Sequence, residues 1–210
     1  MPSETFCRLP EVKKKRIMEA VEKELTLHPI SEVSINKIIQ SAGISRGSFY
    51  QYFTDKYDML GYVLNGYRQK VGEKIGRILD EQSGDVFCSM EIFLSGSLEF
   101  AKEQRNNRFY HNLFSDMEAH KILCKQNKKI NNANYVCNIL KDKANLSALD
   151  INDDQELLIL VEMVLDTCAR GIMELLVNKE GEALDSQIIS HFHRKMKVIE
   201  RGFQKNQEEK

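Results

Sequence analysis

Proline disappears from this sequence after Pro29, and residues 30–210, 181 positions, contain none. Proline breaks helix interiors and is common in the turns of loop-rich and β-rich folds. Its absence, together with helical periodicity, excludes those classes and predicts an all-α protein. Long apolar runs are missing as well. The longest is Leu157–Val161, closed by Glu162, far short of the about 20 residues that span a membrane. An excess of one charge is also missing, since 30 Lys and Arg face 31 Asp and Glu. The net charge of −1 gives no global attraction to nucleic acid or membrane, so such a function must come from a local patch. The five cysteines (Cys7, Cys88, Cys124, Cys137, Cys168) are odd in number, widely spaced and without a CxxC pair. They read as reduced thiols, not a disulfide frame. Residues 1–10 hold no apolar signal core, so a cytoplasmic location is expected.

What is present is a 210-residue chain, enough for one to two domains with a buried core. Its 42% hydrophobic and 29% charged residues are those of an ordinary globular protein. Ile17, Ala20, Val21 and Leu25 follow helical spacing and predict a helix from near Pro10 to just before His28-Pro29. Ser34 is the expected N-cap of a short helix with Ile35, Ile38 and Ile39 inward, ended by Ala42-Gly43. A second short helix runs from about Ser45 to Phe53, and Thr54-Asp55 heads a longer one reaching Leu79. The break at Gln82–Asp85 is the expected hinge between two bodies, followed by a helix that Asn106-Asn107 interrupts. Ser115–Glu118 and Asn152–Gln155 match the capping-box pattern at the heads of two more helices. The second of these is apolar nearly all round and is expected to be buried on most sides. In the last helix Ile189, Phe192, Met196, Ile199 and Phe203 make a seam for another helix. About nine helices are expected.

Residues 33–53 carry the clearest functional signal. Ile35, Ile38, Ile39, Ile44, Phe49 and Phe53 would hold two short helices on a common core. Arg46, Gly47, Ser48, Tyr50, Gln51 and Tyr52 are left to point elsewhere. Arginine can donate two hydrogen bonds to guanine, while Ser and Gln can read base edges. Tyr hydroxyls and Lys56 can hold phosphates. A half-buried helical hairpin is the plainer reading of any single residue, but it does not account for a polar cluster set directly after a tight turn.

The run Ala42-Gly-Ile-Ser-Arg-Gly-Ser-Phe-Tyr-Gln-Tyr-Phe-Thr-Asp-Lys56-Tyr-Asp-Met-Leu60 closely resembles the DNA-binding domain of TetR-type transcriptional regulators. Their recurring core reads Ala-Gly-Val-Ser-x-Gly-x-Leu-Tyr-x-His/Tyr-Phe-x-x-Lys-x-x-Leu-Leu. The resemblance covers residues about 9 to 69. Beyond it, only length, helicity and helix order agree. There are two departures: Ile39 replaces a small Ala, and Leu27-His28-Pro29 replaces a glycine-containing turn. The resemblance implies base contacts from Arg46, Gly47, Ser48 and Gln51, and phosphate contacts from Ser34, Tyr50, Tyr52 and Lys56. The basic run Lys13–Arg16 lies near the start of a helix that the family places close to the DNA backbone, where it can add electrostatic support. Residues 33–57 carry Lys37, Arg46 and Lys56 against Asp55, a charge of +2, so non-specific DNA binding is expected to be weak. The expected organisation is a flexible stretch to residue 8, a helix-turn-helix domain over 9–69, an effector-binding and dimerisation domain over 70–205, and a frayed tail.

The enzyme signatures HExxH and GxxxxGK[ST] are absent. His120 and Cys124 are four apart but have no second pair to complete a metal site. His191 and His193 flank Phe192 on opposite helix faces. No cofactor is expected. The second domain is rich in Met and aromatic residues: Met90, Phe93, Phe100, Phe109, Tyr110, Phe114, Met117, Tyr135, Met163 and Met173. Such residues fill cores, and between helices they also line adaptable apolar pockets. The resemblance favours an effector pocket there, and a homodimer that buries Leu158, Leu165, Ile172, Phe192, Met196 and Ile199. The reading is an all-α, homodimeric, sequence-specific regulator of double-stranded operator DNA, acting as a repressor released by a small, mostly apolar ligand. The alternative is a helical ligand- or protein-binding regulator that has lost operator recognition.

Overall fold

Helix ends in this chain lie where side-chain or backbone groups satisfy amides and carbonyls that have no partner within the helix. The computed structural model describes residues 2–115, 132–179 and 181–205. Among them are ten α-helices, two 3-10 turns and no strand. In chain order the α-helices are α1 (Glu4–Cys7), α2 (Glu11–Leu27), α3 (Ile35–Ala42), α4 (Arg46–Tyr52) and α5 (Lys56–Glu81). They continue with α6 (Val86–Glu103), α7 (Arg108–Ser115), α8 (Asn132–Lys143), α9 (Asp154–Val177) and α10 (Glu182–Phe203).

Ser45 and Asp85 cap α4 and α6 through the amides of Ser48 and Cys88. At α9 the reciprocal pair lies one residue later than the sequence signature. Asp153 accepts from the Glu156 amide, and the Glu156 carboxylate accepts from the Asn152 amide at 2.6 Å. Ser34 occupies the N-cap position of α3 without a capping bond. Instead its backbone amide donates to Glu24 Oε1 at 3.1 Å, so a buried carboxylate of α2 holds the start of α3. The Ser115–Glu118 signature begins on the last residue of α7, and its remainder lies outside the described residues.

The chain divides into two compact units with the boundary inside α5. The first takes the chain to Tyr67 together with the segment beginning at Arg105, and the second takes Arg68–Gln104 and the chain from 132 onward. The first unit closes around Ile17, Val21, Leu25, Ile38, Phe49 and Phe53. Its first eight residues, expected to be flexible, carry α1. Phe6 is fully buried there, its ring 4.8 Å from that of Phe53, and Ser3 donates to the Gln51 and Tyr52 carbonyls. Burying one phenylalanine contributes about 1.5–3 kcal/mol, enough to dock a single helical turn. The α7 helix joins this unit because Phe109 and Tyr110 pack on Tyr67, and Asn112 donates to the Leu25 carbonyl. Burial, with a smaller contribution from Glu22, pushes the Tyr67 phenol up to about 12.

In the second unit α9 packs on α6, α8 and α10. Gly171 permits that approach. A Cβ there would stand 2.6 Å from Leu98 Cδ2 and 3.2 Å from the Phe192 ring. The turn at 82–85, expected as the hinge, lies inside this unit, tied to its neighbours by the Asn145 amide on the Gly84 carbonyl and by the Lys143–Asp80 ion pair. The α10 seam faces its own chain, with Phe192, Met196 and Ile199 buried against α6 and α9. Conversely, α9 is less buried than its composition suggests, with Ile159 and Met163 47% and 42% exposed one turn apart. Where α9 meets α10, the buried Asn178 amide donates to the Asp185 carboxylate at 2.7 Å. Among the described residues no helix is long and apolar enough to cross a membrane.

Candidate nucleic-acid interface

The two short helices α3 and α4 are joined by a turn that only a left-handed residue closes. Gly43 has φ +61°, and the Ile44 and Gly43 amides return to the Ile39 and Gln40 carbonyls. Ile38, Ala42, Phe49 and Phe53 are buried beneath the pair, with Ile35, Ile39 and Ile44 packed around them. Ile39, the larger residue where the family has Ala, is accommodated at the margin of this core.

With that face committed, the start of α4 turns outward. Arg46, Gly47 and Gln51 are exposed, Tyr50 is 46% exposed, and Ser48 is half-buried. Arg46 does not wander freely. Its Nη1 donates to Asn36 Oδ1 at 2.7 Å, its Nη2 reaches the Tyr50 hydroxyl at 3.4 Å, and its guanidinium lies 5.6 Å from the Tyr50 ring centre. Asn36 is not among the residues that the sequence pattern singles out. Its signal is a polar side chain in the first turn of α3, off the Ile35–Ile38–Ile39 stripe. The Ser48 and Ser45 hydroxyls are 2.9 Å apart. A Cβ at Gly47 would meet nothing closer than Ser45 Oγ at 3.8 Å, so glycine there keeps the outer face low without being sterically required.

The expected phosphate contacts separate. Tyr50 and the Ser34 side chain lie at the surface or its margin. Lys56 Nζ instead donates to the Ser31 and Ile30 carbonyls at 2.6 and 3.4 Å, closing the 3-10 turn ahead of α3. Tyr52 does not point outward. It is 4% exposed, edge-on to Phe6 at 5.9 Å, because α1 covers it. In the basic run, Glu11 pairs with Lys14 and holds its ammonium above the usual range, Lys15 lies 3.9 Å from Glu19, and Lys13 sits over the Tyr52 ring.

The expected pocket residues do not converge as one group. Met90 and Phe93 line a small apolar cavity of about 20 Å³ in the second unit. Phe109 and Tyr110 belong to the first unit, Tyr135 and Met163 are exposed, and Phe100 and Met173 are half-buried. The Phe114 side chain, Met117, His120 and Cys124 lie outside the described residues. Of the expected dimer residues, Leu158, Leu165 and Ile172 are half-buried, while Phe192, Met196 and Ile199 are core. Leu165 also lines the small apolar cavity. An open cleft of about 450 Å³ lies elsewhere in the same unit, between the start of α6 and the end of α10.

Comparison with known proteins agrees with this architecture. No curated protein matches the chain at a significant level. A TetR-family transcriptional regulator of Streptomyces coelicolor shares 12% identity and a TM-score of 0.57, covering 95% of this chain and 93% of its own. RolR, solved with its ligand resorcinol, shares 18% identity and a TM-score of 0.57 over 91% and 94%. FadR of Bacillus subtilis, solved with stearoyl-CoA, shares 14% identity and a TM-score of 0.51 over 89% and 97%. These likenesses establish the fold. Residues 17–63 match the tetR family of bacterial regulatory proteins, and residues 85–203 match the C-terminal domain of tetracyclin repressor-like proteins. Since the second match alone spans more than half of the sequence, the chain belongs to the TetR family of DNA-binding transcriptional regulators.

Proposed function

We propose that this chain is a homodimeric repressor that reads a palindromic operator through α4 and is released by a small, mostly apolar ligand held in its second unit. The observation that carries the reading is the outward set of Arg46, Tyr50 and Gln51 on a helix whose opposite face is core. In a major groove, Arg46 suits guanine O6 and N7, Ser48 and Gln51 suit other base edges, and Gly47 allows close approach. Tyr50, Ser34 and Lys56 would hold phosphates, with Lys56 first giving up its carbonyl partners. Tyr52 is left to the core.

Dimerisation is supported by exposed Ile159, Met163 and Val177 on α9, which flank the surface Asp166–Arg170 ion pair, and by exposed Val198 on α10. A two-fold pair of heads would read half-sites one helical turn, about 34 Å, apart. Ligand control is supported by the apolar cavity at Met90 and Phe93 and by the ligand complexes of the fold neighbours RolR and FadR. The α5 helix belongs to both units and so provides a covalent route between them. A coupling of about 1–3 kcal/mol would relieve repression 5- to 150-fold.

The deciding experiment is selection of bound sequences from random duplexes by the full-length protein, followed by affinity against salt. The expected product is a palindrome whose binding weakens steeply with salt. Recovery of no preferred sequence would overturn the operator-reading proposal and leave the ligand- or protein-binding alternative.

A further inference from the structure

The buried hydroxyls on the helices of the second unit solve the same problem in two ways. Ser97 on α6 and Thr167 on α9 each donate to the carbonyl four residues earlier, at 2.6 and 2.7 Å. This is the usual recourse of a hydroxyl inside a helix. Ser89, two turns before Ser97, is as deeply placed at 3% exposure, yet among the described residues its Oγ has no hydrogen-bond partner. It lines the cavity of about 20 Å³ beside Met90 and Phe93, and every other lining side chain is Ile, Leu, Val, Met or Phe. A buried hydroxyl without a partner costs stability that an alanine would not. A single water fits by volume, but Ser89 offers it one partner where buried waters normally have two to four.

We infer that Ser89 is the polar anchor of an effector site for compact, uncharged, mostly apolar molecules with a single hydrogen-bonding oxygen or nitrogen. The polar atom of the ligand pairs with Ser89 Oγ. Its apolar body takes space that the unbranched, easily repacked Met90 side chain yields. Charged ligands are excluded because no lining group could compensate them. The inference rests on reading the second unit as the effector domain and adds the residue and the ligand chemistry.

The probes are phenol and toluene, nearly isosteric and differing in one hydroxyl, titrated calorimetrically into full-length wild type and Ser89→Ala. Binding of a selected DNA duplex is measured in parallel. Phenol is expected to bind the wild type, and the phenol-to-toluene affinity ratio to fall about fivefold in Ser89→Ala, the factor of one hydrogen bond. Without ligand, Ser89→Ala should melt at or above the wild-type temperature. An equal ratio in the two proteins, no binding of either probe at millimolar concentration, or a lower melting temperature in Ser89→Ala would each overturn the assignment. The first two mean that Ser89 anchors nothing, and the third that its hydroxyl already has a structural partner. If the ratio is unchanged while the duplex binds normally, the site falls and operator reading stands. If the ratio falls but no duplex is bound, the reverse holds.

Discussion

Arg46 Nη1 and Asn36 Oδ1 are 2.7 Å apart, so the side chain offered by the start of α4 is steered by a residue of α3. An arginine already held in one orientation loses less rotamer entropy when it meets a guanine. Arg46→Ala should therefore cost about 1–3 kcal/mol of operator affinity and relax preference at one base pair per half-site. Asn36→Ala should relax preference at the same base pair by a smaller amount, about 0.5–1 kcal/mol, and the double variant should fall short of the sum. Competition binding with duplexes varied at each position checks this. A loss from Asn36→Ala spread evenly over all sequences would show that the contact orders nothing.

Lys56 is tied to the fold before it meets any phosphate. Its ammonium closes the turn at Ile30 and Ser31, so Lys56→Met should lower folding stability by about 1 kcal/mol as well as weakening every duplex alike. Tyr50→Phe removes only the hydroxyl and should weaken duplexes alike with no measurable change in stability. Urea unfolding of the two variants separates the roles. Equal stability in both would mean that the Lys56–carbonyl contacts contribute nothing.

The parts of this protein legible in the sequence are those set by short-range chemistry. Pro10, Ser45, Gly43 and Asp55 mark helix ends through their own backbone and side-chain preferences, and the recognition segment follows from the spacing of Ile38, Phe49 and Phe53. What escaped depends on partners far along the chain. Phe6 looks like a lone aromatic in a polar end until Phe53 and Tyr62 surround it. Once it is in place, Tyr52 becomes core. Phe192 and Met196 read as a seam, and only α6 and α9 decide that the seam is internal. Glu24 holds Ser34, and Asn36 holds Arg46, each from ten residues away. That separation is longer than any local pattern records.

Burial also sorts the thiols. Cys7 and Cys88 are exposed, whereas Cys137 and Cys168 are buried, and burial, with Glu91 adding, pushes the Cys168 thiol up to about 12. At mild alkaline pH an alkylating reagent should modify Cys7 and Cys88 in the native protein and reach Cys168 only after unfolding. The linked effect on stability has a definite sign. Because the folded state favours the neutral thiol, the contribution of Cys168 is fully present below pH about 9 and is lost as pH rises toward about 12. Peptide mapping after timed alkylation checks the order. Native modification of Cys168 at the rate of Cys88 would contradict it.

The last prediction separates core from interface. Phe192 is fully buried against its own chain, and Met163 is 42% exposed on α9. Phe192→Ala should therefore cost about 3–5 kcal/mol and show as a loss of folding before any loss of assembly. Met163→Arg places a charge on an open face. Its melting temperature as a monomer should stay near that of the wild type, while light scattering reports half the mass. Operator affinity should fall far more than any single base contact explains, because the second half-site is then bound by a separate molecule instead of at the high effective concentration of a linked pair. If Met163→Arg remains dimeric, the α9 face is not the interface, and the search moves to the surface around Val198.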